Sequence, residues 1–310
     1  MALDTSLLPA GRPAFDVIEA LVLDAVHSAN SRRAYRRALV DFHDWYHTNC
    51  NSGLCKAAVQ QYRGDLERRG LAAPTINLRL CAVRKLALEA ADNGLLLPEI
   101  AAGIARVRGT PYRGSRTGHW LTRNQAQDLL DLPPANTSKG LRDRVILAML
   151  LGCGLRRDEM ARVVLEQIQQ VDGRWVIGDL LGKGGRVRTV AMPSWAKVVL
   201  DRWVVAARLT TGRLLRPVLK NDRVVGDRIG SEAIAKIVRG YGVDLKVEIS
   251  PHDLRRSYAK LAHRGRAPLE QIQISLGHAS IQTTERYLGI KQDLSDAPCD
   301  HLGLSVSSDN

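Results

Sequence analysis

Apolar side chains recur at three- and four-residue steps through much of the first hundred residues, a spacing that places them on one face of a helix. The clearest example is Tyr35, Leu39, Phe42 and Tyr46, which follow Ser31, a residue type that caps helices. We therefore predict a helix that begins near Ser31. The same pattern predicts three further helices, over residues 56–69, 74–93 and 98–107.

The pattern changes after this helical region. Residues 106–118 are basic, rich in glycine and interrupted by Pro111, which is typical of an irregular, exposed linker that attracts phosphate. Beyond the linker, Thr122 is a candidate cap for a helix over residues 124–132. The apolar run at residues 141–151 then predicts a buried helix.

The remainder combines a β-hairpin with more helices. Two predicted strands, over residues 174–177 and 186–191, flank a glycine-rich turn at 182–185. Helices follow over residues 194–208, 231–241, 251–264, 268–276 and 280–288. The expected fold is therefore mainly α with a small β-hairpin. The 310 residues are sufficient for two domains, and we expect an arm (1–13), a helical domain (14–105), the linker (106–118), a second domain (119–292) and a polar tail (293–310).

Composition indicates the class of partner. The net charge of +13 and the pI of about 9.9 favour a polyanionic partner, although a basic soluble surface has the same composition. No stretch approaches the roughly 18 apolar residues of a membrane span, and the start of the chain lacks the features of a signal peptide. We therefore expect a cytoplasmic protein without a membrane partner. The five cysteines form no CxxC pair, which predicts free thiols in a reducing compartment.

Four arginines, Arg32, Arg33, Arg36 and Arg37, form two adjacent i,i+4 stacks on the helix predicted after Ser31. Such a group is either a solvated charged face or an edge that binds phosphates. Because only Asp41, one turn further on, is placed to compensate the four charges, we favour the phosphate-binding edge.

Candidate chemistry is concentrated in the second domain. Arg156 follows a Gly-Leu turn, where its guanidinium can donate two parallel hydrogen bonds to a phosphate or pair with Glu159. Lys183 lies in the glycine-rich turn, and its neighbours lack the spacing of a P-loop. From the residues alone, an ordinary exposed turn lysine is the simpler interpretation.

His252 and Arg255 are three residues apart on a predicted helix and therefore project to one side, whereas Arg256 is expected to point elsewhere. Ser250 is the expected cap and Pro251 the first helical residue. His252 then lies in the first turn, where free N–H groups favour an anion and the helix dipole lowers the pKa of an imidazole. A capping histidine fits the same spacing.

His278 follows a Leu-Gly turn between two predicted helices, and Tyr287 lies on the second of them. Either residue taken alone is ordinarily structural. A phenol with a pKa of about 10 needs neighbouring cations and a base before it becomes a nucleophile at neutral pH.

Five segments occur in a fixed order. They are Gly152-Cys-Gly-Leu-Arg-Arg-Asp-Glu159, Gly182-Lys-Gly-Gly-Arg-Val-Arg188, His252-Asp-Leu-Arg255, Leu276-Gly-His278 and Tyr287, which is nine residues after His278. In order and spacing they resemble the tyrosine recombinases, the site-specific recombinases of the phage-integrase type. The motif-bearing resemblance spans about residues 119–295, and a looser resemblance in helix pattern spans about residues 14–104.

The resemblance implies a two-domain DNA clamp, with a helical, SAM-like core-binding domain and an α+β catalytic domain. It implies that Tyr287 attacks the scissile phosphate to form a 3′-phosphotyrosyl link, with His252 as proton acceptor and Lys183 as general acid. The remaining site residues would be the phosphate-stabilising Arg156, Arg255 and His278 and the supporting Glu159. The expected backbone contacts are Arg186 and Arg188, which would share one strand face, and Arg113 of the linker.

The resemblance also implies double-stranded DNA attachment sites as partners, a homotetramer on paired DNA and a C-terminal tail that docks on a neighbouring protomer. Neither ATP, a metal nor another cofactor is expected, because the bond energy is kept in the adduct. The protein would be nucleoid-associated when bound to DNA. Its basic, compact form favours the integration or excision of a mobile element.

Three other functions share part of this pattern. A type IB topoisomerase has the same group of residues, but the small N-terminal helical domain and the spacing argue against it. A catalytically inactive DNA-binding regulator would not require all six catalytic positions to be filled. A metal phosphodiesterase would need a carboxylate cluster beside the histidines, and activity that is insensitive to chelators would exclude it.

Overall fold

The computed structural model describes residues 12–50, 53–111 and 119–289. The predicted arm up to residue 11, Arg113 and the tail from residue 290 lie outside the described residues. The chain divides into two compact units, Met1–Gly114 and Ser115–Asn310. The finer domain limits and the clamp stay predictions.

The described part of the first unit is helical. Its helices are α1 (Arg12–Asp24), α2 (Ala29–Asn49), α3 (Lys56–Arg68), α4 (Ala73–Asp92) and α5 (Pro98–Ala105). The helices predicted over residues 56–69, 74–93 and 98–107 are confirmed to within two residues at each end.

Helix α2 begins earlier than its sequence predicts. Ser28, not Ser31, is the cap, and its side chain accepts the N–H of Ser31 at 3.5 Å. Ser28 has the extended backbone that a capping position requires, whereas Ser31 already lies in the helix. The predicted apolar face is confirmed, because Leu39, Phe42 and Tyr46 are buried.

Asp41 connects three helices of the first unit. Its carboxylate accepts hydrogen bonds from the hydroxyl of Tyr62 at 2.7 Å, from Arg69 at 2.7 Å and from Arg79 at 2.5 Å. Partial burial acts to raise its pKa, but the hydrogen bonds from Arg69 and Tyr62 and the charge of Arg79 lower it overall. Asp41, the acid placed to compensate the α2 arginines, is therefore paired instead with residues of α3 and α4 and with Arg69, which follows α3.

The first residues of the predicted linker are anchored to α4, although Arg106 and Arg108 are exposed. Val107 is buried, and the guanidinium of Arg84 donates to its carbonyl. Asn77 on α4 accepts the N–H of Thr110 at 2.8 Å and donates to its carbonyl at 3.0 Å. The chain after α5 thus continues along α4 before it leaves the described region.

The second unit is a helical domain with one small sheet. Its elements are α6 (Arg123–Asp131), α7 (Ser138–Gly152), α8 (Arg157–Met160), β1 (Ile168–Val171), β2 (Arg174–Leu181), β3 (Val187–Ala191), α9 (Ser194–Ala206), α10 (Ser231–Asp244), α11 (Pro251–Arg264), α12 (Leu269–Leu276) and α13 (Ile281–Leu288). The predicted helices of this unit are confirmed to within three residues, and the fold class, mainly α with a small β-sheet, is confirmed.

The sheet is antiparallel in the order β1-β2-β3. Val171 pairs with Arg174 across the first turn, and Leu181 pairs with Val187 across the turn that contains Lys183. Strand β1 was not predicted, because its residues are largely exposed and show no clear apolar alternation.

Two apolar clusters position the functional residues. Helix α7 is buried almost throughout and packs against α9 and α11, beside the fully buried Trp203. A smaller cluster of Ala259, Ile272, Leu276 and Leu288 holds α11, α12 and α13 together. In the described ranges, no helix is both long and apolar enough to cross a membrane.

Asp41→Asn is expected to lower the stability of the first unit by about 2 kcal/mol, because Arg69 and Arg79 would keep their charges and lose their carboxylate. Amide hydrogen exchange along α3 and α4 should become faster. Asp44→Asn is the matched control, since that side chain lies on the same helix and is 72% exposed. Equal protection in the two variants would contradict the role given to Asp41.

Candidate active site

The predicted catalytic residues come from separate parts of the second unit. Arg156 precedes α8, His252 and Arg255 lie in the first turn of α11, His278 follows α12, and Tyr287 lies in the last turn of α13. The fold brings these five residues together around a cavity and an aromatic contact. Lys183 lies in the turn between β2 and β3, and its side chain lies outside what the structure describes.

A buried carboxylate organises the arginines. Glu159 is 1% exposed, and its oxygens accept the guanidinium of Arg156 at 2.7 Å and the main-chain N–H of Arg156 at 2.8 Å. Arg188 donates to both oxygens at 2.9 Å, and Arg255 lies 3.9 Å away. Burial acts to raise the pKa of Glu159, but the bonds from Arg188 and Arg156 lower it to about 2. With four donors, this carboxylate is an anchor and has little capacity to accept a proton.

Arg156 and Arg255 differ in exposure. The Arg156 side chain is 29% exposed, whereas that of Arg255 is 2% exposed. Arg255 donates to the carbonyl of Gly154 at 2.5 Å and to that of Leu276, so it ties together the turns before Arg156 and His278. Burial, followed by the charge of Arg156, lowers the pKa of Arg255 to about 10.

Both arginines also line a concavity with His252. The cavity has a volume of about 320 Å³ and opens between α8, α10 and the start of α11. The predicted cap is present, because Asp253 accepts the main-chain N–H of Ser250 at 3.0 Å and its hydroxyl at 2.6 Å, and Pro251 begins the helix. This geometry places two cations and an imidazole at one opening, which suits an anionic group.

Gly154 is required by the close approach of another side chain. Its φ of +59° is unfavourable for other residues, and an added Cβ would lie 2.5 Å from the ring of Tyr258. The glycine therefore allows the turn to bring Arg156 next to α11.

Tyr287 lies between the two histidines. Its ring centroid is 5.4 Å from that of His252 and 5.3 Å from that of His278, and its hydroxyl donates to the carbonyl of His252 at 3.4 Å. Burial raises its pKa by more than the charges of Arg255 and Arg256 lower it. The phenol is therefore protonated at neutral pH in the free protein.

His278 is held by a residue that sequence reasoning missed. Its Nδ1 lies 3.0 Å from the hydroxyl of the buried Thr284. Burial, with the charges of Arg255 and Arg156, lowers its pKa to about 4, so the ring is neutral at pH 7. When Thr284 donates to Nδ1, the proton resides on Nε2 and can be donated outwards. The sequence signal that could have identified Thr284 was its position, a polar residue one helical turn before Tyr287.

Arg256 faces the site, contrary to expectation. Its guanidinium carbon lies 5.1 Å from the Tyr287 ring centroid. It is four residues after His252, so the two share a helix face, as i,i+4 spacing requires. Partial removal from water, followed by the charges of Arg256 and Arg255, lowers the pKa of His252. The imidazole is thus held neutral and available as a base.

The two hairpin arginines do not share a face. Arg186 precedes β3 and is exposed, whereas Arg188 turns inwards to Glu159. The guanidinium of Arg188 is thus already used within the protein, and its contact with the DNA backbone stays a prediction. The contact of Arg186 with DNA stays a prediction.

The four α2 arginines are exposed, as both of their interpretations require. Arg36 pairs with Glu19 on α1 at 3.0 Å, and Arg32 and Arg33 donate to the loop and helix start before them. Glu19 is too distant in sequence for periodicity to reveal this pairing. Binding of DNA by this face stays a prediction.

Two solved structures of DNA-bound proteins share this fold. A lambda integrase dimer bound to a COC′ core site aligns with a TM-score of 0.66 at 14% identity, covering 90% of this chain and 96% of that one. XerH site-specific recombinase bound to difH substrate aligns with a TM-score of 0.64 at 19% identity, covering 85% and 76%. At these identities the likeness shows a shared fold alone.

Sequence comparison identifies the family. The sequence model of the phage integrase family matches residues 119–293, and that of the phage integrase N-terminal SAM-like domain matches residues 18–94. The chain therefore belongs to the phage integrase family and is a tyrosine site-specific recombinase. Tyrosine recombinase XerC of Pelobacter propionicus is 33% identical over 201 residues, 64% of either chain. Tyrosine recombinase Synpcc7942_B2651 of Synechococcus elongatus is 27% identical over 305 residues, 93% of either chain.

Arg256→Gln is expected to raise the pKa of His252, because a nearby positive charge disfavours the protonated imidazole. NMR of the imidazole Hε1 protons across a pH series measures the shift. Arg264→Gln is the control, since Arg264 lies on the same helix but over the ring of Trp120. An unchanged His252 titration in Arg256→Gln would contradict the electrostatic role of Arg256.

Proposed function

We propose that this recombinase cuts and rejoins DNA strands through a 3′-phosphotyrosyl intermediate on Tyr287. The observation that carries the proposal is the position of the Tyr287 phenol between two imidazoles. Arg156 and Arg255, which are linked through Glu159, supply positive charge beside it.

In the first step the Tyr287 oxygen attacks phosphorus, and the bond from phosphorus to the 5′ oxygen breaks. The phenolic proton passes to His252, and Lys183 gives a proton to the departing 5′ oxygen. In the second step a 5′ hydroxyl attacks the phosphotyrosine, the bond to Tyr287 breaks, and both protons return. One phosphodiester is exchanged for another, so the cycle needs no external source of energy.

The electrostatics of the site support these roles. Tyr287 has a raised pKa and therefore needs a base, while the lowered pKa of His252 leaves that base unprotonated. Arg156, Arg255 and the Nε2–H of His278 would stabilise the charge that develops on the phosphorane oxygens. The bound phosphate brings negative charge to a cationic site, which compensates the arginines during the reaction.

The proposed substrate is a pair of double-stranded DNA attachment sites bound by a homotetramer. The net charge of +13 suits this substrate. The lambda integrase and XerH structures of the same fold contain their DNA sites. Integration or excision of a mobile element, docking of the C-terminal tail on a neighbouring protomer and association with the nucleoid belong to the same proposal.

Tyr287→Phe is expected to keep DNA binding and to abolish the covalent adduct, because the nucleophilic oxygen is removed. Covalent protein–DNA adducts are captured from denatured cells, and the attached ends are sequenced. Tyr241→Phe, which loses a hydroxyl on α10, is the matched control and should form the adduct. Strand cleavage that survives in Tyr287→Phe would exclude the mechanism, and shared sequence at the captured ends would identify the attachment site.

Lys183→Ala is expected to be rescued by a DNA substrate whose 5′ leaving oxygen is replaced by sulfur, since a better leaving group needs no acid. Arg156→Ala should lose more than about 3 kcal/mol of transition-state stabilisation. The substrate with a 5′ sulfur should not rescue it to a comparable extent. Single-turnover cleavage of the two substrates measures both effects. A Lys183→Ala enzyme that stays slow with sulfur would assign the acid role to another residue.

A further inference from the structure

Arg188 lies at the junction of the two turns that carry Lys183 and His278. We infer that it is a positioning residue, which holds both turns at a set distance from Glu159 and so fixes the backbone that carries Lys183 and His278. The inference rests on the proposed function for the roles of Lys183 and His278. The contacts that support it are independent of those roles.

The guanidinium of Arg188 is fully directed inwards. Its two terminal nitrogens each donate to one oxygen of Glu159 at 2.9 Å, in a bidentate pair. Its Nε donates to the carbonyl of Ser275 at 2.9 Å, in the last turn of α12. The side chain is 9% exposed, so water competes little for these bonds. One side chain therefore joins β3, the anchor carboxylate and the end of α12.

Two glycines lie against this side chain. A Cβ on Gly182 would be 3.0 Å from an Arg188 terminal nitrogen, and a Cβ on Gly277 would be 3.0 Å from the Arg188 Cδ. Each glycine directly precedes a proposed catalytic residue, Lys183 in one case and His278 in the other. Main chain thus rests directly on the Arg188 side chain at both turns. The spacing of the two turns is consequently set by the length and planarity of one arginine.

The geometry makes lysine a poor substitute. A lysine ammonium keeps the charge but cannot make two parallel bonds to Glu159 and a third bond from Nε to Ser275. The effect of the Arg188 charge can therefore be separated from that of its hydrogen-bond geometry by two substitutions. Arg188→Lys keeps the charge without the geometry, and Arg188→Met removes the charge while keeping an unbranched side chain. Arg174→Met is the matched control, because Arg174 is an exposed arginine at the other end of the same sheet.

The first measurement is amide hydrogen exchange of the full-length protein without DNA. Gly182 donates its N–H to the carbonyl of Arg186 at 2.7 Å, and His278 donates to that of Gln273 at 3.1 Å. Both amides should exchange faster in Arg188→Met and Arg188→Lys, and at the wild-type rate in Arg174→Met. Unchanged protection at both turns in both Arg188 variants would overturn the inference.

The second measurement is single-turnover cleavage of a suicide substrate built from the captured sequence, at saturating protein. Both Arg188 variants should cleave about 100-fold more slowly, as displaced catalytic groups do, with the Kd for DNA unchanged. A wild-type rate in Arg188→Lys would show that only the charge matters and would overturn the positioning role. Weaker DNA binding that accounts for the whole defect would also overturn it, in favour of a DNA contact.

These outcomes are distinguishable from failure of the proposed function. A wild-type protein that forms no Tyr287 adduct would overturn the proposed function, whatever the exchange data show. Wild-type cleavage, combined with normal exchange and normal rates in the Arg188 variants, would overturn this inference alone. If amide protection were lost throughout the second unit in Arg188→Met, that variant would be unfolded and uninformative. The Arg188→Lys variant would then test the inference, since it keeps a cation beside Glu159.

Discussion

The site depends on one buried negative charge. Removing Glu159 from water is costly, and only the bonds from Arg156 and Arg188, together with the nearby Arg255, offset that cost. The dependence is reciprocal, because three guanidinium groups in so small a volume would repel one another without the carboxylate. Glu159 therefore fixes the positions of these guanidinium groups in the free protein, before a phosphate binds. Such preorganisation is the main source of electrostatic catalysis, since the charges do not have to be assembled during the reaction.

A second constraint acts on Tyr287, the proposed nucleophile. Helix α13 is short, and its position depends on Leu288 packing with the small cluster that joins α11 and α12. This packing sets Tyr287 beside His252, while Thr284 on the same helix holds His278. The positions of the proposed nucleophile, base and phosphate-stabilising group therefore all depend on the packing of one small apolar cluster. The raised pKa of Tyr287 keeps the phenol protonated in the free protein.

Local sequence rules predicted most of the helical elements, because caps and apolar periodicity act within a few residues. The Ser250–Pro251 start of α11 and the buried helix α7 were predicted in this way. Strand β1 was missed, since its exposed residues carry no alternation and the strand forms only because β2 pairs with it. The cap of α2 was misplaced because Ser28 and Ser31 have the same chemistry, and only the backbone conformation separates them.

The sequence by itself determined the family and the candidate site residues, because the types, order and spacing of those residues are local properties of the chain. The glycines before Lys183 and His278 are visible in the sequence, but the reason for them, their contact with the Arg188 side chain, comes only from the structure. Only the tertiary structure decided which partner each arginine of the site contacts. Arg188 turned inwards to Glu159 and Arg256 turned towards Tyr287, because their partners lie 29 and 31 residues away in sequence and become neighbours only when the elements pack. Pair interactions at that separation leave no periodic signal, since they arise from the packing of whole helices and strands against each other.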